Sequence, residues 1–93
     1  MITEKTKTKE LFERRKNIVA NGVGVFNTAT AKSAKGAIII NADGEELIDF
    51  AGGIGLVNAG HCPDEVVAAI QEQAAKYIHT SFNVATYEPY IEL

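Results

Sequence analysis

Four of the ten residues from Ala51 to Gly60 are glycine, at positions 52, 53, 55 and 60, and Pro63 follows shortly after. Glycine at this density signals positive φ angles or a close approach by another group, because other residues enter those conformations only with strain. Pro63 suits the first turn of a helix, where its missing N–H would be unpaired in any case. Asp64 and Glu65 then place negative charge where the helix dipole favours it. Val66, Val67, Ile70, Ala74, Tyr77 and Ile78 recur with a period near that of an α-helix, and Gln71, Glu72, Gln73 and Lys76 fill the opposite face. The stretch from Glu46 to Gln73 therefore predicts a short strand, a glycine-rich turn and an amphipathic helix.

The rest of the chain is arranged around that stretch. Residues 1–8 predict a flexible terminus. Leu11, Phe12, Ile18 and Val19 form one stripe, with Arg14, Arg15 and Lys16 on the remaining surface, which predicts a helix over Lys9–Ala20 closed by Asn21-Gly22. No capping box precedes it, so this helix needs docking to persist. Val23–Phe26 reads as extended, and Asn27–Lys35 as a polar connector. Gly36–Ile40 and Glu45–Phe50 predict a hairpin, with Asn41–Gly44 as its turn and Asp43-Gly44 supplying the positive φ. Leu47 and Asp49 share one face of the second strand, and Ile48 and Phe50 share the other. Apolar residues on both faces predict a sheet covered on both sides within a larger body. His79–Thr86 reads as a turn. A further helix opens at Tyr87, with Pro89 in its first turn, and the sequence stops at Leu93 within that pattern.

Length and composition narrow the function classes. Ninety-three residues, 46% hydrophobic and 23% charged, suit at most one small globular body. No apolar run approaches the ~20 residues of a membrane-spanning helix. The N-terminus lacks the apolar core of a signal peptide, so the expected location is cytoplasmic, with no membrane partner. One cysteine, Cys62, excludes an internal disulfide and fits a reducing compartment. Residues 1–35 carry eight Lys/Arg against three acids, whereas residues 36–93 carry one lysine against nine acids. The lysines alternate with threonines and acids and no aromatic residues are interleaved, so the basic arm predicts a solvated helix face and no nucleic-acid partner.

Several catalytic patterns fail on inspection. A dinucleotide-binding G-x-G-x-x-G starting at Gly53 meets Asn58 at its last position, and no Lys-Ser/Thr follows for a Walker A loop. An anion at the start of the second long helix would meet Asp64 and Glu65. His61, Cys62 and His79 lack metal-ligand spacing, so no metal is expected. Cys62 reads as a small packed residue rather than a nucleophile activated by His61, and His79 as a packing or dipole-complementing residue near a helix end. The seven lysines all stand in polar neighbourhoods, whereas a Schiff-base lysine needs a desolvated one.

In combination, the motifs resemble the N-terminal region of class III pyridoxal-phosphate-dependent aminotransferases, above all the subgroup acting on 4-aminobutyrate. The pattern D-G, I/L-D-F, G-G-I, N-x-G-H and P-x-V-x-x-A-I-x-x-Q is matched at Asp43-Gly44, Ile48–Phe50, Gly52–Ile54, Asn58–His61 and Pro63–Gln73. H-T-S-F-N at His79–Asn83, Y-E-P-Y at Tyr87–Tyr90, R-R-K near residue 14 and G-V-G at Gly22–Gly24 are similar too. The resemblance covers roughly residues 10–93. It implies an α/β fold, the type I fold of pyridoxal-phosphate-dependent transferases. This chain would supply an N-terminal helix, a small antiparallel sheet and an amphipathic helix.

What the resemblance implies further divides by position. Residues 9–62 would form the helix and small-domain sheet, and residues 63–93 the helix and connector toward a large cofactor-binding domain. The activity implied is transfer of the amino group of 4-aminobutyrate, or a similar ω-amino acid, to a 2-oxo acid such as 2-oxoglutarate, by a homodimer carrying pyridoxal 5′-phosphate. Ile54 and Asn83 match positions that line the substrate pocket. An aliphatic Ile54 suits a linear ω-amino acid, because it offers shape without a hydrogen bond. The Schiff-base lysine, phosphate loop, pyridinium partner and carboxylate-binding arginine lie downstream in such enzymes, so no catalytic or cofactor-binding residue is expected here and the chain alone is expected to be inactive. Related 5-aminovalerate, acetylornithine and ornithine types stay open. So does a short, non-catalytic interaction or remnant domain, whose motivation is the stop at Leu93.

Overall fold

The computed structural model describes residues 6–93, which divide after Pro63 into two compact units. Residues 1–5 of the expected flexible terminus lie outside the described residues. In the first unit, α1 spans Lys7–Ile18. It begins ahead of the predicted Lys9 because Thr6 caps it, its hydroxyl accepting the Lys9 amide at 3.1 Å. At the other end Val19 leaves the helix, still donating to the Arg15 carbonyl at 2.9 Å. Arg15 turns back and donates to the Val23 and Gly24 carbonyls at 3.0 and 3.1 Å, satisfying acceptors in the turn that leaves the helix.

A three-stranded antiparallel sheet follows, in the order β1 (Ser33–Lys35), β2 (Ile38–Ile40), β3 (Glu46–Ile48). Its registers pair Lys35 with Ile38, and Ile38 with Ile48. The predicted hairpin is β2–β3, with both strands shorter than the apolar pattern suggests. The first strand corrects the expected connector: Ser33–Lys35 is an edge strand of three residues, with Ala34 half-buried between exposed Ser33 and Lys35, too short for its alternation to reveal it. Gly36-Ala37 links β1 to β2, and Gly36 at φ +58° provides the positive φ that a two-residue hairpin loop requires. The β2–β3 turn is held by Asn41, whose Oδ1 accepts the Asp43 and Glu45 amides at 2.9 Å each. At 7% exposure Asn41 is buried, because its polar atoms are all occupied by the turn it closes.

The turn also docks the helix. Asp43 accepts the Lys7 amide at 2.6 Å and the Thr8 amide at 3.2 Å, so a side chain from the sheet satisfies two orphan donors at the start of α1. The Thr8 and Thr30 hydroxyls meet at 2.8 Å, and Thr30 Oγ1 also accepts the Ala42 amide. Leu11 and Phe12 are consequently half-buried, while Ile18 farther along the same stripe is 72% exposed.

In the second unit, α3 (Asp64–Lys76) bears the predicted amphipathic pattern, and α4 (Glu88–Glu92) begins after Tyr87 with Pro89 in its first turn. Phe82 stacks on Tyr90 at 4.4 Å between ring centroids and meets Tyr87 edge-on at 5.0 Å, and Tyr87 reaches Tyr77 at 5.7 Å. These rings pin the turn between the helices. His79 lies beyond the end of α3 and is exposed, rather than serving the last helical turn.

No hydrophobic side chain among the described residues is buried. The accessible area is 8039 Å². Two separate compact bodies of these sizes would expose about 6,200 Å². The apolar face of α3 lines an open hollow of about 520 Å³ bounded by Val66, Ala69, Ile70, Ala74, Tyr77 and Ile78. Ile48, at the end of β3, is 64% exposed, and Phe50 just beyond it is 94% exposed. Among the described residues no helix is long and apolar enough to cross a membrane.

Candidate functional site

The glycine-rich stretch folds into the one-turn segment α2 (Gly52–Gly55), in which all four residues have positive φ. Left-handed backbone costs an L-residue about 1–2 kcal/mol, which explains glycine at three of the four positions. The fourth is Ile54, at φ 61° and ψ 61°. A β-branched residue there stores about 1–3 kcal/mol and persists only where its surroundings hold it. Its side chain stands 77% exposed, held out from the first unit rather than packed into it.

The clamp on this turn is Asp49, the residue after β3. Its Oδ1 accepts the Ala51 and Gly52 amides at 2.9 Å each, and its Oδ2 lies 2.6 Å from His61 Nε2. These bonds, led by the Gly52 amide and then the His61 side chain, hold the Asp49 carboxyl below the ordinary aspartate range. The exit from the turn is fixed as well. Gly36 and His61 exchange backbone hydrogen bonds at 2.9 and 2.8 Å. Gly60 lies so close to Gly36 that an added Cβ would stand 3.2 Å from its Cα. Lys35 Nζ donates to the Cys62 carbonyl at 2.7 Å, and Cys62 itself is exposed at φ 47°.

Of the two residues expected to line a pocket, Ile54 stands on this turn in the first unit and Asn83 lies in the second. Asn83 is exposed, in a turn closed by the Val84 amide donating to the Ser81 carbonyl at 2.8 Å. The Asp49–His61 pair escaped the reading of the sequence. The two partners stand 12 residues apart, with no spacing rule to join them.

A resident pyridoxal phosphate would require a desolvated lysine for its aldehyde and unhindered donors for its phosphate. Every described lysine is exposed, and the first turn of α3 carries Asp64 and Glu65. The described residues therefore do not fit the group as its holders. Nor do three His, Cys, Asp or Glu residues gather among them in a metal-binding cluster.

The chain is 49% identical to 5-aminovalerate aminotransferase DavT of Pseudomonas putida across 95% of its own length and 21% of that protein's. It is 44% identical to 4-aminobutyrate aminotransferase GabT of Escherichia coli K12, over 91% of this chain and 20% of the relative. It thus spans about a fifth of the length of the curated relatives it matches. The fold superposes on the crystal structure of ornithine aminotransferase from Toxoplasma gondii ME49 with a TM-score of 0.72 at 26% identity, covering 83% of this chain and 18% of that one. The helix, the antiparallel sheet and the glycine turn are thus those of an N-terminal piece of such an enzyme, and residues 18–93 match the family described as aminotransferase class-III. The chain belongs to the class-III aminotransferase family.

Proposed function

We propose that these residues form the N-terminal part of an aminotransferase that moves the amino group of 4-aminobutyrate, 5-aminovalerate or a similar ω-amino acid to a 2-oxo acid such as 2-oxoglutarate. Class-III membership implies pyridoxal 5′-phosphate as the cofactor, which supplies the electron sink for the transfer when bound. The Schiff-base lysine, the phosphate loop and the arginine for the substrate carboxylate belong to residues outside this chain, which by itself is inactive. Residues 63–93 lead toward the cofactor-binding domain, and the complete enzyme is a homodimer.

The observation that carries this reading is Ile54, an aliphatic side chain held 77% exposed on a strained left-handed turn. A residue kept in that conformation and away from its own unit serves a surface beyond it. Apolar and without hydrogen-bonding groups, it forms one wall for the methylene chain of a terminal-amine donor, and Asn83 is a second substrate-binding residue of the complete enzyme. The two relatives at 49% and 44% identity are named for donors of this class, which supports the assignment.

The test is an assay of the complete polypeptide with 2-oxoglutarate as acceptor. Turnover of 4-aminobutyrate or 5-aminovalerate in preference to ornithine and acetylornithine is the expected result, and a polypeptide inert toward both linear donors overturns the proposal. For the 93-residue chain alone, borohydride reduction after incubation with pyridoxal phosphate should leave no single stoichiometric lysine adduct by mass spectrometry.

A further inference from the structure

Both ends of the segment that carries Ile54 return to one carboxylate. Asp49 receives the Ala51 and Gly52 amides at the entry and His61 Nε2 at the exit, at 2.9, 2.9 and 2.6 Å. The Asp49 and His61 side chains are 8% and 19% exposed, an enclosed polar pair in a chain whose described residues bury no hydrophobic side chain. His61 is anchored in turn by its two-way backbone exchange with Gly36. Ile54 lies between these anchor points at φ 61°, in a conformation that an isoleucine keeps only under constraint. Within the turn the Ile54 amide donates to the Ala51 carbonyl and the Leu56 amide to the Gly52 carbonyl, each at 2.9 Å. The Asp49 bonds tie that locally closed turn to the sheet, so the two sets together set where the side chain stands.

From this we infer that Asp49 and His61 are positioning residues for the amino donor: they fix the Ile54 wall and thereby set which donor length is accepted. The inference rests on the reading of Ile54 as a pocket wall. Donors that differ by one methylene differ only in the apolar span between amine and carboxylate. Such a span is discriminated by shape, with one methylene worth about 10–200-fold. Releasing the clamp moves the wall without touching the reacting atoms, so the effect belongs in KM for the donor rather than in kcat.

The experiment is steady-state kinetics on the complete, cofactor-loaded enzyme with 4-aminobutyrate and 5-aminovalerate as donors. His61→Phe keeps a ring but loses the nitrogen facing Asp49, His61→Gln keeps a donor, and Ile54→Ala removes the wall. For the better donor, His61→Phe is expected to raise KM by roughly tenfold with kcat changed less than about threefold, whereas His61→Gln stays within about threefold of the parent. In an Ile54→Ala background, His61→Phe adds less than about threefold, because the two act through one side chain. An unchanged KM in His61→Phe, or a full effect persisting in the double variant, overturns the inference while leaving the wall intact. Unchanged donor kinetics in Ile54→Ala instead overturn the wall reading itself. Should His61→Phe fail to fold, Asp49→Asn replaces it in the same comparison, with visible absorbance of the bound cofactor as the control for folding.

Discussion

Gly60 lies where two backbones touch, with φ +84° and the Gly36 Cα and carbonyl oxygen 3.2 and 3.3 Å from where a Cβ would stand. Gly60→Ala must therefore separate the strand link from the end of the glycine turn, at a cost of about 1–3 kcal/mol. We expect a lowered melting temperature in the complete enzyme and no such loss for Gly22→Ala, whose Cβ would meet nothing within 4 Å. Asp49 makes a second prediction at this scale. Its carboxyl is held below the ordinary aspartate range by the Gly52 amide, His61 and the Ala51 amide. A depressed folded value means that its stabilisation is complete above the ordinary aspartate range and is lost as pH falls through the folded value. The stability gap between wild type and Asp49→Asn, read from denaturant midpoints, should accordingly stay constant above that range and shrink below it. Glycine density signalled positive φ, and three of the four positions in α2 are glycine. That Ile54 shares the conformation was not legible, since its residue type disfavours it and the turn is held by its own backbone bonds together with the Asp49–His61 clamp.

Helix α1 is capped twice over, by Thr6 from its own sequence and by Asp43 from the β2–β3 turn 36 residues away. Removing the first cap in Thr6→Ala should cost about 1 kcal/mol, with faster amide exchange confined to the first turn of α1. Asp43→Ala should do more, freeing both the Lys7 and Thr8 amides of α1, while the turn keeps the Asn41 bonds to the backbone amides of residues 43 and 45. Asp43 is likewise held below the ordinary aspartate range, chiefly by the Thr8 hydroxyl with the Lys7 and Thr8 amides, so acid releases this cap before the turn itself loses its shape. The contrast shows what periodicity can and cannot reveal. The α3 stripe and the Asp43-Gly44 turn are local patterns, and the elements appear where those patterns lie. Ser33–Lys35 is a strand only because β2 offers it an edge, and Asp43 is a cap only because the sheet folds back onto α1. Tertiary partners decided both, and neither a three-residue stretch nor one turn aspartate carries a mark of them.

At the scale of the whole chain, the decisive fact is the lack of any buried hydrophobic side chain among the described residues. Hydrophobic burial is the main term opposing chain entropy, and here it is largely unmade. On the proposed reading, the exposed faces of α3, β3 and α2 are surfaces that further chain covers, since these residues span about a fifth of the curated relatives they match. The isolated 93-residue chain should therefore self-associate through its apolar faces, with sedimentation showing species above 10.0 kDa at micromolar concentration. The sequence made the unpartnered stripes visible. It did not show how little of them the chain itself would cover, because half-burial of Leu11, Phe12 and Leu47 depends on the Asp43 dock and the strand order. Amide hydrogen exchange of the isolated chain, followed by mass spectrometry, tests the missing core most directly. The account predicts protection factors below about ten across both α1 and α3, whereas factors above about a thousand in both helices of a monomeric chain would contradict it.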